Sequence, residues 1–429
     1  MGLGVSGIAT YAFLAVADRA LDPEAYAAVG VLWSLLFAVG NGVMQPLEQE
    51  VARAVSTRRA AGIGTGPVVK RAAVIGAGFT AVVVLVALLV EQLAAAGAIS
   101  DRFTLGHLLD DDAALVAAFL VGLAAFAAGH LTRGTLSSNG RFRGYALFFG
   151  LDGLSRVVLA GLLAVAGVAV AGPYGVVAAI APFIGVGAGL VGQRGLLEPG
   201  PPAEWSELTR ALGWLLAGTA SLALIVQGGT IAVDVLAAPD EAEAAGVFLN
   251  GLVIARIPLF LFQAVLASLL PRLSRLAGSG QLDEFRSTLA RLVATILVGG
   301  AVVTVAAAVV GPPLIDAVFS SSAGLGARDL GLLTATFVLI MAAVSVDQAL
   351  IALSGHRLMA TGWVLSLVVF VVVTALGDDL FLRVELGLLA SSLVALAWMA
   401  GWLRRRLAHP PEVIEVSFAE AVAEAPMQD

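Results

Sequence analysis

Twelve apolar stretches fill this chain, each close to the ~20 residues that a helix needs to cross the hydrocarbon core of a bilayer. They are read at 1–18, 25–47, 71–95, 113–136, 143–168, 173–192, 211–235, 246–269, 288–311, 328–354, 358–376 and 384–403. With 59% hydrophobic residues against 13% charged over 429 residues, the apolar excess is too large for one water-shielded core, and much of the surface must face lipid. The expected fold is an all-α integral membrane protein of about 12 transmembrane helices. An even number of crossings puts both termini on one side.

Positive charge fixes which side. Every second gap is basic: Arg53, Arg58, Arg59, Lys70 and Arg71 follow the second stretch, Arg272 and Arg275 the eighth, and Arg404 to Arg406 close the last. The alternate gaps hold Arg19, Arg102, Arg328 and Arg383, and are otherwise acidic, with Asp110 to Asp112, Asp240, Glu241, Glu243, Asp378 and Asp379. Basic loops stay cytoplasmic, so both termini are expected inside. The first stretch votes against this, having no basic flank before it and Arg19 after it, which a start placed too far downstream would explain. No cleavable signal peptide is expected, because neither a basic n-region nor a cleavage site is present. The net charge of −7 says little about partners, since its two signs are sorted by side. One Lys against 23 Arg, with abundant Ala, Gly and Val, suggests a GC-rich bacterial genome and hence a bacterial cytoplasmic membrane. Zero Cys excludes disulfides and thiolate metal sites, and four scattered His offer no metal cluster.

The Pro- and Gly-rich run from Glu198 to Glu204 cannot continue a helix and divides the stretches six and six. The expected organisation is an N-terminal six-helix bundle over 1–193, a cytoplasmic linker over 194–210, a C-terminal six-helix bundle over 211–406 and an acidic cytoplasmic tail over 407–429. Gln45-Pro46-Leu47-Glu48 before one basic loop is echoed by Leu270-Pro271-Arg272-Leu273 before another. Leu136 to Arg141 is likewise echoed by Ile351 to Arg357. Six helices return the chain to its starting side, so the halves read as parallel repeats about an axis along the membrane normal, with a central cleft between them. Trp205, Trp214, Trp363, Trp398 and Trp402 fall near basic helix ends, as interfacial anchors would. Trp33 lies deeper, as packing or as cleft lining.

An ionisable group at the bilayer centre costs about 2.5–3.5 kcal/mol on insertion scales and needs a partner, a wet cavity or a task. Arg256 lies near the middle of the eighth stretch, with Gln263 on its face and Pro258 expected to kink the helix beside it. Its guanidinium is either a two-pronged grip for phosphate or half of an internal ion pair. Asp152 and Arg156, four apart, can neutralise each other or serve in coupling. Asp347 can pair with a basic group of the other bundle or exchange a proton or Na⁺. Asp234 belongs at the headgroup boundary. The second stretch carries a polar stripe of Ser34, Asn41, Gln45 and Glu48, which no lipid-facing surface would bear, while Glu50 and Arg53 continue as a solvated pair. Gly2 to Gly7 matches a dinucleotide-binding pattern, but it opens a membrane helix with no strand before it and reads as helix packing. Gly185 and Gly189 are a packing pair of the same kind. No nucleotide-binding loop is present, and neither an enzymatic activity nor a cofactor nor nucleic acid as a partner is expected.

The segment Tyr11 to Tyr26 resembles the first helix and outer turn of Wzx-type polysaccharide exporters, members of the multidrug/oligosaccharidyl-lipid/polysaccharide (MOP) exporter superfamily. Asp22 stands where the usual turn has Gly. Pro46-Leu47-Glu48-Gln49-Glu50 with Arg53 looks like the end of helix 2 in their actinobacterial branch. The resemblance implies a flippase that moves a polyprenyl-pyrophosphate-linked oligosaccharide from the cytoplasmic to the outer leaflet, for polysaccharide biosynthesis. In that family, cleft arginines hold the pyrophosphate, and Arg256 fits the one on helix 8; Arg19 is a weaker match. Expected partners are the lipid-linked saccharide and the bilayer, with glycosyltransferases or a polymerase as further candidates. A proton- or Na⁺-coupled multidrug exporter of the same superfamily, and a membrane scaffold for glycan-assembly enzymes, are the competing readings.

Overall fold

The computed structural model describes residues 2–209, 212–319, 325–353 and 355–408, excluding the side chains of 2–5, 263, 264, 267, 268 and 271. The acidic tail expected over 407–429 lies almost wholly outside these residues. The first half contains α1 (Gly2–Ala20), α2 (Pro23–Ala60), α3 (Gly66–Ala95), a short α4 (Leu105–Leu108), α5 (Ala113–Ser138), α6 (Phe142–Val165) and α7 (Ala171–Leu190). A short α8 (Ser206–Thr209) leads into the second half. There follow α9 (Leu212–Leu236), α10 (Ala244–Ala255), α11 (Ile257–Gly278), α12 (Leu282–Val318), α13 (Ala327–Ala352), α14 (His356–Thr374) and α15 (Leu380–Ala408). Ten of these elements are long and apolar enough to span a membrane, and with α1 and the α10–α11 pair they account for twelve crossings.

Local chemistry sets the boundaries. Asp22 caps α2 by accepting the Ala25 N–H at 2.8 Å, with Pro23 pre-set for the first turn. Asp112 caps α5 in the same way. Gly140, at φ +67°, makes the reversal into α6 that a side chain would strain. Two helices outrun the sequence expectation. α2 continues past residue 47 to Ala60, ~57 Å at 1.5 Å per residue, so its last turns stand clear of a 30 Å hydrocarbon core. The eighth crossing is not one kinked helix but two, broken at Arg256.

Neighbour relations repeat between the halves. In the first, α1 packs on α6, α2 on α5, α5 on α3 and α7, and α6 on α7. In the second, α9 packs on α14, α10 and α11 on α13, α13 on α12 and α15, and α14 on α15. This is one pattern shifted by six crossings, and it gives two six-helix bundles arranged as parallel repeats. The third member of each bundle is peripheral, since the apolar windows of α3 and α12 are only 6% and 11% buried, leaving the rest to lipid. α2 bridges the bundles by packing along α9 and α10, with Gly42 close to Ala220 and Ala223 and accepting the Thr219 hydroxyl at 3.0 Å.

The segment after α7, expected as a linker, is strapped to the first bundle. Arg58 donates to both Glu207 carboxylate oxygens at 2.8 and 2.9 Å and to the carbonyls of Gly64, Pro201 and Pro202. Gly66 N–H donates to the Glu198 carbonyl at 2.8 Å, and Ala203 and Leu208 are buried with Leu47, Val51 and Val68. Arg58 holds the Glu207 carboxyl below its usual range through this hydrogen-bonded pairing. Glu50, expected on a solvated face with Arg53, is only 4% exposed although it does pair with Arg53 at 2.7 Å.

Candidate functional site

Where the bundles face each other they enclose a two-lobed cleft. The first lobe, about 240 Å³, lies mostly within the first bundle and is lined by α1, α2, α5 and α6. The second, about 330 Å³, lies between α2, α9, α11, α13 and α14 towards the basic face. Phe37, Asn41, Gln227, Arg256 and Phe260 line both. Arg256 therefore stands at the junction.

Its position follows from the helix break. Pro258 has no N–H to give the Ile254 carbonyl, so the chain turns at Arg256, with φ −89° and ψ 0°, and restarts as α11. The side chain is 7% exposed. Nη1 donates to Gln227 Oε1 at 2.5 Å and Nη2 to the Val226 carbonyl at 3.1 Å, while Nε has no acceptor. The guanidinium carbon lies 5.5 Å from the Phe337 ring centroid. Among the described residues no carboxylate comes within 4 Å, so this buried cation has neutral partners only.

The first lobe holds two more guanidiniums, each tied to a carboxylate. Arg156 Nη1 donates to Asp152 Oδ2 at 3.0 Å, one turn away on α6, and the cation lies over Trp33 and Phe37. Arg133 donates to Glu48 Oε2 through Nε and Nη2 at 3.0 and 2.5 Å, with His130 Nδ1 2.8 Å from the same oxygen. Trp33, 2% exposed, stacks with Phe13 and Phe37 at 5.4 and 4.4 Å and also lines the lobe. Its two sequence readings, packing and lining, describe the same residue. The paired charges cancel, and Arg256 leaves the lobe net positive.

In the second lobe Asp347, 6% exposed, accepts the indole N–H of Trp363 at 3.1 Å through Oδ2, and its Oδ1 has no donor. No basic group of the other bundle reaches it among the described residues. Trp363, expected as an interfacial anchor, is instead 1% exposed and part of this lobe. Gln45 lines the lobe, while Ser34 is buried without lining either lobe. Glu48 acts on the first lobe through His130 and Arg133. Arg19 does not join the site, because it donates to the Ala317 carbonyl at 2.9 Å at the acidic end of the bundle interface. The side chain of Gln263 lies outside the described residues.

His130 and Arg133 were not singled out as candidates in the sequence. The available signal was Phe126, His130 and Arg133 at spacings of four and three, one face of α5 opposite the polar stripe of α2.

Towards the acidic face the cleft is shut by a buried latch across the bundles. Tyr26 donates its hydroxyl to Asn250 Oδ1 at 2.6 Å, and Asn250 Nδ2 reaches Asp18 Oδ1 at 3.3 Å. Beyond it lies a separate vestibule of about 280 Å³ with Glu24, Asp110, Asp111 and Asp234, which puts Asp234 at the surface boundary expected of it.

No family model and no curated protein sequence matches this chain. Solved structures do. The chain is similar to a multidrug resistance MATE family transporter of the MOP superfamily in its inward-facing conformation, with TM-score 0.66, 13% identity, and 95% of this chain and 96% of the other covered. The outward-facing conformation of such a transporter gives 0.63, 14%, 95% and 94%. The Vibrio cholerae MATE transporter VcmN, in its bent form, gives 0.57, 17%, 94% and 95%. At these identities the likeness is one of fold, and it extends over nearly the whole chain.

Proposed function

We propose that this chain is an alternating-access transporter that carries an anionic, polyprenyl-pyrophosphate-linked saccharide from the basic to the acidic face of a bacterial cytoplasmic membrane. The observation that carries this reading is Arg256, a buried guanidinium at a helix break, open to both lobes and without a carboxylate partner among the described residues. A site that keeps such a charge desolvated without a counter-ion is short of one negative group, and a pyrophosphate supplies it with the two-pronged geometry that guanidinium favours. Arg133 and Arg156 can reinforce the grip by exchanging part of their bonding with Glu48 and Asp152. Asn41 and Gln45 offer neutral donors and acceptors to sugar hydroxyls.

The geometry also supports a direction. The second lobe lies towards the basic ends of α2 and α13, whereas Tyr26, Asn250 and Asp18 close the acidic end. Loading from the basic face, rocking of the bundles about the cleft and release on the other side follow, with the prenyl tail remaining in lipid. An inside-negative potential assists outward movement of an anion by about 2.3 kcal/mol per charge per 100 mV.

A second reading is favoured by Asp347, whose unpartnered oxygen in the second lobe would suit a cationic drug, a proton or Na⁺. Proteoliposomes separate the two. Wild-type protein should move a fluorescent pyrophosphate-linked saccharide between leaflets and Arg256→Ala should not. Extrusion of cationic dyes that Asp347→Asn abolishes, with no movement of the lipid-linked saccharide, would reverse the assignment.

A further inference from the structure

One charge of the second lobe has no part in holding a pyrophosphate. Among the described residues only two charged side chains line this lobe, Arg256 where it meets the first lobe and Asp347 on α13. Both are buried, and they do not neutralise each other, because among the described residues no carboxylate oxygen comes within 4 Å of Arg256. Their spacing follows from α13. The Arg256 guanidinium carbon lies 5.5 Å from the Phe337 ring centroid, and Asp347 stands ten residues beyond Phe337 on the same helix, ~15 Å at 1.5 Å per residue.

Asp347 is held in place and left unserved. Its Oδ2 accepts the Trp363 indole N–H at 3.1 Å, which fixes the carboxyl, and its Oδ1 receives no donor. A proton on Oδ1 would find no acceptor either among the described residues. Between the two charges the polar lining is neutral, with the amides of Asn41, Gln45, Gln49 and Gln348, each able to donate to and accept from a hydroxyl. A buried carboxylate without a cation is as costly as a buried guanidinium without an anion. A ligand that carries only phosphate answers Arg256 and leaves Asp347 bare, and a simple cation does the reverse. A molecule with an anionic and a cationic group at opposite ends of a hydroxyl-rich body answers both at once.

We propose that the second lobe is a subsite for an aminated saccharide. It rests on the reading of Arg256 as the pyrophosphate ligand. With the pyrophosphate on Arg256, the saccharide lies along the lobe towards the basic face, and a protonated amine on a sugar beyond the first donates to Asp347 Oδ1. An ammonium supplies both the missing donor and the missing charge. N-acetylation of that amine removes the charge and leaves the carboxylate uncompensated. The two ends of the lobe then divide the work. Arg256 reads the pyrophosphate common to all such lipids, and Asp347 selects among them by the charge of the saccharide.

The test is titration of the full chain in nanodiscs with three probes: farnesyl pyrophosphate alone, farnesyl pyrophosphate bearing a disaccharide whose outer sugar is glucosamine, and the same disaccharide with N-acetylglucosamine outermost. Wild-type protein should bind the aminated probe more tightly than the acetylated one, by on the order of 10- to 100-fold. Asp347→Asn keeps an oxygen for the Trp363 N–H and should remain monodisperse. It should bind farnesyl pyrophosphate as wild type does and no longer distinguish the two saccharides. Equal wild-type affinity for the two saccharides, or a preference that survives Asp347→Asn, overturns the proposal while leaving the pyrophosphate reading in place. The wild-type comparison decides the matter if Asp347→Asn does not fold. Failure of wild-type protein to bind farnesyl pyrophosphate, or equal binding of it by Arg256→Met, removes the pyrophosphate reading and this proposal with it.

Discussion

Replacing Arg256 by Met separates a binding role from a structural one, because the two predict opposite relations between stability and affinity. A guanidinium has five N–H donors. Gln227 and the Val226 carbonyl take one each, so a phosphate can accept two of the remainder. At about 1.5–3 kcal/mol net for each hydrogen bond to a charged group, losing two weakens binding by ~3–4 kcal/mol even on a conservative count. That is two to three powers of ten in Kd, on the order of 10²–10³. Stability should barely move. The change orphans the Gln227 oxygen, at about 1–3 kcal/mol, but it also removes a buried charge whose desolvation costs several kcal/mol. The net effect is expected within about 2 kcal/mol of zero. The assay is titration of nanodisc-embedded protein with a short-chain prenyl pyrophosphate, alongside thermal unfolding followed by Trp fluorescence. Arg256→Lys should fall between, keeping the charge and losing the fork. Equal affinity in wild type and Arg256→Met, or affinity lost only as the protein unfolds, would refute the reasoning.

Three further substitutions probe the supports of the cleft. Gly134→Ala places a Cβ 2.7 Å from the Glu48 carbonyl oxygen, which is backbone and cannot swing away, so α5 must move off α2. A loss of about 1–3 kcal/mol is expected in thermal unfolding. Asn250→Ala removes the acceptor of the buried Tyr26 hydroxyl and should favour opening at the acidic face by about 1–3 kcal/mol. Because the chain has no Cys, a single cysteine at Ala28 reports this opening as faster labelling by an impermeant maleimide, and an unchanged rate counts against the latch. The strap after α7 should depend on pH. The Glu207 carboxyl is held low by Arg58, so its contribution is present above the ordinary carboxylate range and is lost as pH falls through the lowered value. Protease cleavage within 198–206 should rise over that acidic window in wild type and be high throughout in Glu207→Gln.

What could be read from the chain, and what could not, follows from depth. Arg256, Asp152 and Arg156 stand in the middle of apolar runs, where no surface reading competes, and their cost alone demands a reason. Arg133 and Trp363 lie within two turns of a helix end, where a solvated or interfacial position would be free, so the sequence pattern assigns them there. Depth is not written in a linear string when helices such as α2 run well past the bilayer. The membrane edge falls inside the helix, and the end of an apolar run no longer marks it. Cross-bundle pairings are hidden for another reason. Tyr26 and Asn250 are 224 positions apart, and their hydrogen bond depends on the crossing of α2 with α10, which periodicity within either helix does not encode. The same geometry explains why the break at Arg256 exceeds the expected kink. A proline frees one carbonyl and permits a bend, and both pieces lie on α13, but α10 also packs along α2 and α9 whereas α11 packs along neither. Neighbours that hold the two pieces on different surfaces turn a permitted bend into a break. It is that break which leaves the guanidinium facing both lobes.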